Sequence, residues 1–210
     1  MSHFVFVDCE TGGLDPKVHG ITEIAAIAFD FDTRNPFGHH ECLNEFQVLI
    51  QPNRELAYAP AALAMQDRTL DYLEEYGMSE LHACNAFFAF LCDQINWHRP
   101  HTMTQGSIIA HYAQFDYGFL AALAERCGQA EKLPTGNRCD WICTKNLFRV
   151  LSGLGIVAPR GCGLTEIMKW YGVDFEGKQH NALVDCKAGV QVFRHEISDL
   201  KHYYEKETSK

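Results

Sequence analysis

The most constraining feature of this sequence is an unbroken apolar run that ends in two acidic residues. The run covers residues 4–7 and is followed by Asp8, Cys9 and Glu10 in the stretch VDCETGG. Four consecutive apolar residues predict a strand buried on both faces, because successive side chains of a strand point to opposite sides of the sheet. The run is therefore expected to lie inside the protein.

The two acids at the end of this strand are spaced to act together. Asp8 and Glu10 are two residues apart, so in an extended backbone both carboxylates project from one face while Cys9 projects from the other. Two carboxylates held close together in a poorly solvated place raise each other's pKa unless a cation or hydrogen-bond donors stabilise the charged forms. The pair therefore indicates a metal site, and a solvated strand end is the alternative interpretation.

The order of the predicted elements indicates an α/β fold. The sequence patterns favour an antiparallel three-stranded meander, followed by strands that alternate with helices. The predicted strands cover residues 4–7, 21–31, 43–51, 107–110 and 141–143. The predicted helices are short ones within 60–76, a long one at 79–97 capped by Ser79, one at 115–127 closed by Gly128, two short ones after residues 143 and 163, and a terminal one from about residue 181. This order predicts a mixed sheet flanked by helices.

The composition suits one globular domain and argues against some function classes. The 210 residues, 47% hydrophobic and 21% charged, fit a single domain over residues 1–210, with a charged tail at about 205–210 that is expected to fray. No secretory signal or membrane-spanning run is present, so a cytoplasmic protein without a membrane partner is expected. The net charge of −9 argues against nucleic-acid binding through a broad basic surface. It allows an enzyme that grips a few terminal nucleotides through bound cations.

The cysteines are expected to be reduced thiols, because their number, nine, is odd and their spacing is irregular. A zinc site built from scattered cysteines and histidines is the alternative, although the spacing matches no tight paired-cysteine motif. The residues of that alternative site are His39, His40, Cys42, Cys139, Cys143 and Cys162.

Two further acids stand where they could complete a metal site. Asp116 follows the predicted strand at 107–110 and falls in the first turn of the next helix, and Asp185 lies early in the terminal helix. Ligands of open α/β sheets collect outside the carboxyl ends of strands, which is where Asp8 and Glu10 also lie. Each acid alone has a simpler interpretation, because an aspartate in a first helical turn is commonly a cap or a dipole partner.

His180 is the candidate general base. It precedes Asp185 by five residues, and that separation on an ideal helix would turn the two side chains roughly 140° apart. The two converge only if His180 lies on a loop, which the preceding stretch FEGKQH favours. A histidine beside a carboxylate cluster can take a proton from water near neutral pH. Taken alone, a histidine is more often a surface or core residue than a general base.

With these residues assembled, the chain resembles the DEDD superfamily of 3′-to-5′ exonucleases, in the subclass whose third motif carries a histidine (DEDDh). Within that subclass the resemblance is to the branch of ribonuclease T and the polymerase proofreading subunits. Three ordered segments carry it: DCETGG, AHYAQFD and HNALVD. Each motif alone is weak, whereas three in this order, with matching strands and helices between them, are specific.

The resemblance implies an RNase H-like fold and a two-metal phosphodiester hydrolase. Two divalent ions, Mg²⁺ or Mn²⁺, would be held by four acids, in keeping with the preference of hard cations for carboxylate oxygens. The implied metal ligands are Asp8, Glu10, Asp116 and Asp185. His180 would activate water, and the enzyme would release nucleoside 5′-monophosphates from the 3′ ends of single-stranded DNA or RNA. Relatives include dimers, so a homodimer through the helix at 79–97 or the terminal helix is consistent with the resemblance.

Residues beside the motifs are candidates for substrate contact. Thr11, Gly12 and Gly13 would let the backbone approach the terminal nucleotide, because glycine has no Cβ atom. Leu14 would wedge against the last base, as apolar residues do in similar enzymes. The alternative is an ordinary turn with Leu14 in the core. Phe115 either stacks on a base or packs beneath the neighbouring aspartate.

One position departs from the family pattern. The family commonly has asparagine after the histidine of the second motif, where this chain has Tyr112. The change leaves the four acids in place and leaves substrate preference open. Two other functions stay open as well: a non-catalytic nucleic-acid-binding protein of the same fold, and a phosphodiesterase of small nucleotides. Clustered acids argue against the first, because an idle site has no physical reason to keep mutually repelling charges.

Overall fold

The structure is a computed structural model that describes residues 2–31, 42–95, 106–133, 141–158, 161–175 and 177–209. The strands in these ranges are β1 (Ser2–Thr11), β2 (Ile21–Phe31), β3 (Cys42–Leu49), β4 (Ser107–Ala110) and β5 (Trp141–Cys143). The α-helices are α1 (Pro60–Gln66), α2 (Leu70–Tyr76), α3 (Glu80–Ile95), α4 (Ala113–Arg126), α5 (Thr144–Gly153), α6 (Leu164–Tyr171) and α7 (Ala182–Thr208). A short 3-10 helix covers Ala130–Lys132.

The strands form one mixed sheet in the order β3-β2-β1-β4-β5. β2 is antiparallel to both of its neighbours, β1 and β3, whereas β4 is parallel to both of its neighbours, β1 and β5. The predicted meander and the strand–helix units that follow it are confirmed. Parallel strands need crossover connections, and helices supply them here.

Both faces of β1 are covered, as the apolar run predicts. Val5, Phe6 and Val7 are completely buried. Val5 and Val7 belong to the core that the sheet forms with α3 and α4, whereas Phe6 belongs to the core beneath α7. At Gly189 a Cβ atom would overlap the ring of Phe6. This glycine therefore lets the terminal helix lie directly on the central strand.

The first strand extends beyond its pairing with β4. That pairing covers only Phe4 to Phe6, whereas pairing with β2 continues to Thr11. Because β1, β4 and β5 are mutually parallel, their carboxyl ends lie on one edge of the sheet. We term this the carboxyl edge and define it by residues 8–11, 111–116 and 144–145. Both α4 and α5 begin there.

The terminal helix continues further than the sequence indicates. α7 runs to Thr208, through most of the tail expected to fray. The Lys201 Nζ lies 3.8 Å from the Glu205 Oε1 one turn later, and the Ser209 hydroxyl donates to the Glu205 carbonyl at 2.6 Å. These local contacts extend the helix.

The described ranges contain no helix that is both long and apolar enough to cross a bilayer. The cysteines whose side chains the structure describes are free thiols, as expected. Of the alternative zinc set, Cys143 and Cys162 belong to no close group of three metal-ligating side chains among the described residues. The other four members lie outside the residues whose side chains the structure describes.

Candidate active site

The first two acids of the site are held at the end of β1. Cys9 is buried in the core on one face, and Asp8 and Glu10 are partly exposed at the carboxyl edge. Pairing with β2 fixes them, because Asp8 lies opposite Ala25 and Glu10 lies opposite Glu23. This is the alternation that the sequence predicts.

Asp116 joins the site from the first turn of α4. Its side chain is almost completely buried, and its Oδ1 accepts a hydrogen bond from the Cys9 backbone N–H at 3.0 Å. Burial raises the pKa of Asp116 to about 8, although the hydrogen bond from Cys9 acts in the opposite direction. Asp116 is therefore hydrogen-bonded to the end of β1, so its role is not limited to capping its own helix.

The start of α7 brings His180 and Asp185 together. Asn181 caps the helix, because its side chain accepts a backbone N–H bond from the first turn at 3.2 Å. His180 precedes the cap and has a left-handed backbone with φ 62°, which is uncommon outside glycine. It thus lies on a loop, as convergence with Asp185 requires. A ring nitrogen of His180 and carboxylate oxygens of Glu10 and Asp185 lie within 4.8 Å of one another.

The site concentrates negative charge where water has little access. Burial raises the pKa of Asp8 well above its ordinary value, and neighbouring acids raise it further. Burial, followed by the charges of Asp185 and Glu23, raises the pKa of Glu10 to about 8. Burial also raises the pKa of Asp185 to about 6, although the His180 backbone N–H lowers it. A bound cation would reverse these shifts, because it favours the charged carboxylates.

The donor atoms fit hard divalent cations. Carboxylate oxygens are the ligands that Mg²⁺ and Mn²⁺ prefer in proteins. The Oδ1 atom of Asp185 is buried and has no hydrogen-bond partner within the described part of the chain. Across the described residues, Glu10, His180 and Asp185 are the one group of three potential metal ligands that come this close together.

Two charged residues of the site were not predicted from the sequence. Glu23 on β2 is buried opposite Glu10, and it accepts hydrogen bonds from the side chains of Gln47 and Asn181. The Arg68 Nη2 lies 3.6 Å from the Glu23 Oε2. The positive charge of Arg68 also lowers the pKa of Glu10. An acid inside the apolar stretch ITEIAAIAF was the available signal for Glu23. Arg68 gave none, because it reaches the site from the turn between α1 and α2.

The turn after β1 is shaped by the packing of the chain on itself. The Gly12 N–H donates to the Gly20 carbonyl at 2.8 Å, and the Gly12 carbonyl accepts from the segment just before α1 at 2.7 Å. A Cβ atom at Gly12 would lie 2.6 Å from the Tyr58 ring. The Thr11 hydroxyl donates to the Gly13 carbonyl at 2.6 Å. Internal contacts thus account for the glycine at position 12, and substrate contact by residues 11–13 stays a prediction.

Leu14 and Phe115 differ in their surroundings. The side chain of Leu14 is 85% exposed, so the alternative that places it in the core is wrong. Phe115 is partly buried, and its ring centroid lies 4.9 Å from that of Phe119. The structure therefore supports packing for Phe115, and the contact of Leu14 with a base stays a prediction.

Comparison with known proteins shows extensive sequence similarity to exonucleases. A family model described as Exonuclease matches residues 5–193. Ribonuclease T of Haemophilus influenzae (strain PittGG) is 27% identical over 198 residues, which cover 94% of this chain and 80% of the relative. Ribonuclease T of Photorhabdus laumondii subsp. laumondii is 31% identical over 197 residues, which cover 90% of this chain and 81% of the relative.

Solved structures share the fold. Exonuclease I of E. coli in complex with a dT13 oligonucleotide superimposes with a TM-score of 0.79 at 16% identity, covering 98% of this chain and 43% of that chain. The zinc-bound form of the same enzyme with single-stranded DNA gives a TM-score of 0.74 at 17% identity, covering 92% of this chain and 40% of that one. The chain thus spans less than half the length of exonuclease I. The similarity confirms the predicted RNase H-like fold.

Proposed function

The chain belongs to the exonuclease family matched over residues 5–193, a family of DEDD 3′-to-5′ exonucleases, and from this premise we propose that it removes nucleotides one at a time from the 3′ ends of single-stranded nucleic acid. Water attacks the phosphorus of the last internucleotide linkage, and the bond from phosphorus to O3′ breaks. The products are a nucleoside 5′-monophosphate and a strand shorter by one nucleotide. We propose that residues 1–210 form one domain with this activity.

The observation that carries the proposal is the approach of a His180 ring nitrogen and carboxylate oxygens of Glu10 and Asp185 to within 4.8 Å of one another. Asp8 lies on the same strand end as Glu10, and the buried Asp116 is hydrogen-bonded to the residue between them. Phosphodiester hydrolysis needs stabilisation of charge on phosphate oxygens and a group that removes a proton from water. The cluster offers ligands for cations and a base in the same place.

The four DEDD acids are proposed to hold two divalent ions, Mg²⁺ or Mn²⁺. When bound, such ions supply positive charge to the attacking and leaving oxygens of an in-line displacement. The raised pKa values of Glu10 and Asp116, each about 8, follow from burial without a cation. Metal affinity should therefore increase with pH up to about that value, because cation and proton compete for the same oxygens.

His180 is proposed to accept the proton of the attacking water on a ring nitrogen. The Asn181 cap fixes the start of α7, and a ring nitrogen of His180 lies within 4.8 Å of carboxylate oxygens of Glu10 and Asp185. Its partial exposure lets the proton pass on to solvent, which in turn protonates the departing O3′.

Single-stranded ends are the proposed substrate. The exonuclease I structures of the same fold hold the oligonucleotides dT13 and dA16, and the sequence relatives are named ribonuclease T. The exposed Leu14 follows the first motif directly and suits contact with an unpaired terminal base. The net charge of −9 disfavours a broad duplex-binding surface. Both DNA and RNA are therefore proposed as substrates.

A cleavage ladder tests the proposal. DNA and RNA strands of one sequence, labelled at the 5′ end, are incubated with Mg²⁺ or with EDTA, and released products are identified by chromatography. A descending ladder with nucleoside 5′-monophosphates is expected with Mg²⁺ only, and a circular strand should stay intact. Asp185→Asn serves as the matched inactive variant.

Other outcomes would favour the other functions. Binding without any cleavage would favour the non-catalytic nucleic-acid-binding protein. Hydrolysis confined to mono- or dinucleotides would favour the small-nucleotide phosphodiesterase, and cleavage of the circular strand would contradict an exonuclease.

A further inference from the structure

Tyr112 and Lys145 form a partly exposed aromatic–cation pair at the carboxyl edge. Tyr112 lies between β4 and α4, and Lys145 lies in the first turn of α5. The Lys145 Nζ is 4.1 Å from the centroid of the Tyr112 ring, and 47% of Tyr112 is exposed. A side-chain hydrogen bond of 2.9 Å between His111 and Thr144 joins the two segments. The segments that follow β4 and β5 therefore hold Tyr112 and Lys145 next to each other.

The backbone at Tyr112 does not by itself favour a tyrosine. The residue has φ 66° and ψ 52°, and its side chain does not cap α4. Asparagine and glycine adopt this left-handed conformation far more readily than an aromatic residue. The local backbone therefore gives no reason for a tyrosine at this position. The contact of its ring with Lys145 suggests one.

Lys145 places a positive charge at the carboxyl edge, near the acids of the site. Two other basic side chains on the Glu23 and His180 side of the cluster neutralise acids of the protein itself: Arg68 faces Glu23, and Lys178 lies 2.8 Å from Asp67. No carboxylate pairs with Lys145 among the residues that the structure describes. Its positive charge is thus available to a phosphate.

The pair lies beside the acid cluster and not within it. β4 separates β1 from β5, so the ends of β1 and β5 are two strand spacings apart, about 10 Å. Lys145 is the second residue after β5, whereas Asp8 and Glu10 lie within the last four residues of β1. A strand with its terminal linkage at the acids would therefore reach Lys145 with a more distant nucleotide.

We propose that Tyr112 and Lys145 bind a nucleotide that lies further to the 5′ side than the two nucleotides flanking the linkage to be cleaved. Lys145 contacts its phosphate, and the exposed part of the Tyr112 ring stacks on its base. Aromatic rings stack on any base, and a lysine offers a compact charge for phosphate, so the subsite is tolerant of sequence. This inference rests on the proposed function, and it predicts that longer strands bind more tightly than dinucleotides.

Binding without rapid cleavage tests the subsite. In a His180→Ala background with Mg²⁺, fluorescence anisotropy of a 5′-labelled single-stranded dodecamer measures affinity. Lys145→Ala should weaken binding about tenfold, equivalent to 1.4 kcal/mol. It should also reduce the slope of log affinity against log salt by about 0.7, the value for one phosphate contact on a single strand. Lys145→Arg should retain binding.

The matched control is Lys201→Ala, which removes a lysine that pairs with Glu205 near the end of α7. It should change neither the affinity nor the salt slope. Tyr112→Asn removes the ring but keeps a residue suited to the left-handed backbone, so the variant should stay folded. It should weaken binding about fivefold or more. Thermal unfolding by circular dichroism confirms that each variant is folded.

A substrate change locates the contact. The affinity for strands that lack one base is measured with and without the Tyr112→Asn substitution. The loss of affinity caused by Tyr112→Asn should vanish when the missing base is the one that Tyr112 stacks on. Unchanged affinity and salt slope in folded Lys145→Ala and Tyr112→Asn proteins, with a wild type that cleaves, would overturn the subsite and leave the exonuclease proposal standing. If the wild type does not cleave but Lys145→Ala still weakens binding and reduces the salt slope, the subsite is supported and the exonuclease proposal is overturned.

Discussion

Asp116→Asn should stabilise the metal-free protein by an amount that grows with pH. Asp116 is almost completely buried, and its pKa is raised from 3.8 to about 8. Between these two values the carboxyl group is protonated in the folded state and ionised in the unfolded state. The free energy of unfolding therefore falls as the pH rises through this window. The cost to the folded protein is about 2 kcal/mol at pH 5 and about 4 kcal/mol at pH 7.

Asparagine should remove this cost, because it does not ionise and its Oδ1 can still accept the Cys9 N–H bond. Urea unfolding in EDTA, followed by circular dichroism, would measure the gain at pH 5 and pH 7. The same substitution should abolish cleavage and reduce the stabilisation that Mg²⁺ gives to the wild type, because a proposed ligand is lost.

Glu196→Gln is the matched control. Glu196 is a buried acid on α7 whose pKa burial raises to about 9, and its carboxylate oxygens have no hydrogen-bond partner among the described residues. It lies about 16 Å along the helix from Asp185. Glu196→Gln should also stabilise the metal-free protein increasingly from pH 5 to pH 7, but it should keep both cleavage and the response to Mg²⁺.

An unchanged free energy of unfolding in Asp116→Asn at both pH values would refute this reasoning. So would an equal gain at pH 5 and pH 7, because it would show that no proton is taken up by Asp116 on folding. Retention of the full Mg²⁺ response would remove Asp116 from the proposed ligands.

Four further substitutions address the acids and the base of the site. Asp8→Ala and Asp185→Ala should each abolish cleavage in the ladder assay while the protein stays folded, and full activity in either would remove it from the metal site. His180→Ala should lower the rate by a factor of roughly 10² to 10⁴, and a smaller loss that high pH does not restore would argue against the general base. Glu23→Gln should shift the pH midpoint of Mg²⁺ binding to lower pH, because Glu23 raises the pKa of Glu10. Calorimetry from pH 6 to pH 8 would measure the midpoint, and an unchanged midpoint would contradict that coupling.

Local patterns sufficed for the strands and for the motif residues. The run at residues 4–7 specified a strand buried on both faces, and the spacing of Asp8 and Glu10 fixed their shared direction by simple alternation. The loop position of His180 was also predictable, because the polar stretch before it disfavours helix and Asn181 is a good cap. These features depend on neighbours in sequence, which a single chain shows directly.

Features that depend on contacts between distant segments were not predictable. Glu23 became part of the site through the register of β2 against β1, which places it opposite Glu10. Gly12 was interpreted as room for substrate, whereas the Tyr58 ring approaches it closely. The exposure of Leu14 likewise depends on how the turn packs. Strand register and turn packing are tertiary properties that no local pattern encodes.

The short fourth strand gives Asp116 access to the end of β1. β4 stops pairing with β1 at Phe6, so the amide of Cys9 is left for a carboxylate from α4. Two residues added at the end of β4 would offer carbonyl groups that compete for that amide, and they would also move Asp116 away from β1. We therefore expect an insertion of two residues at the junction of β4 and α4 to abolish cleavage.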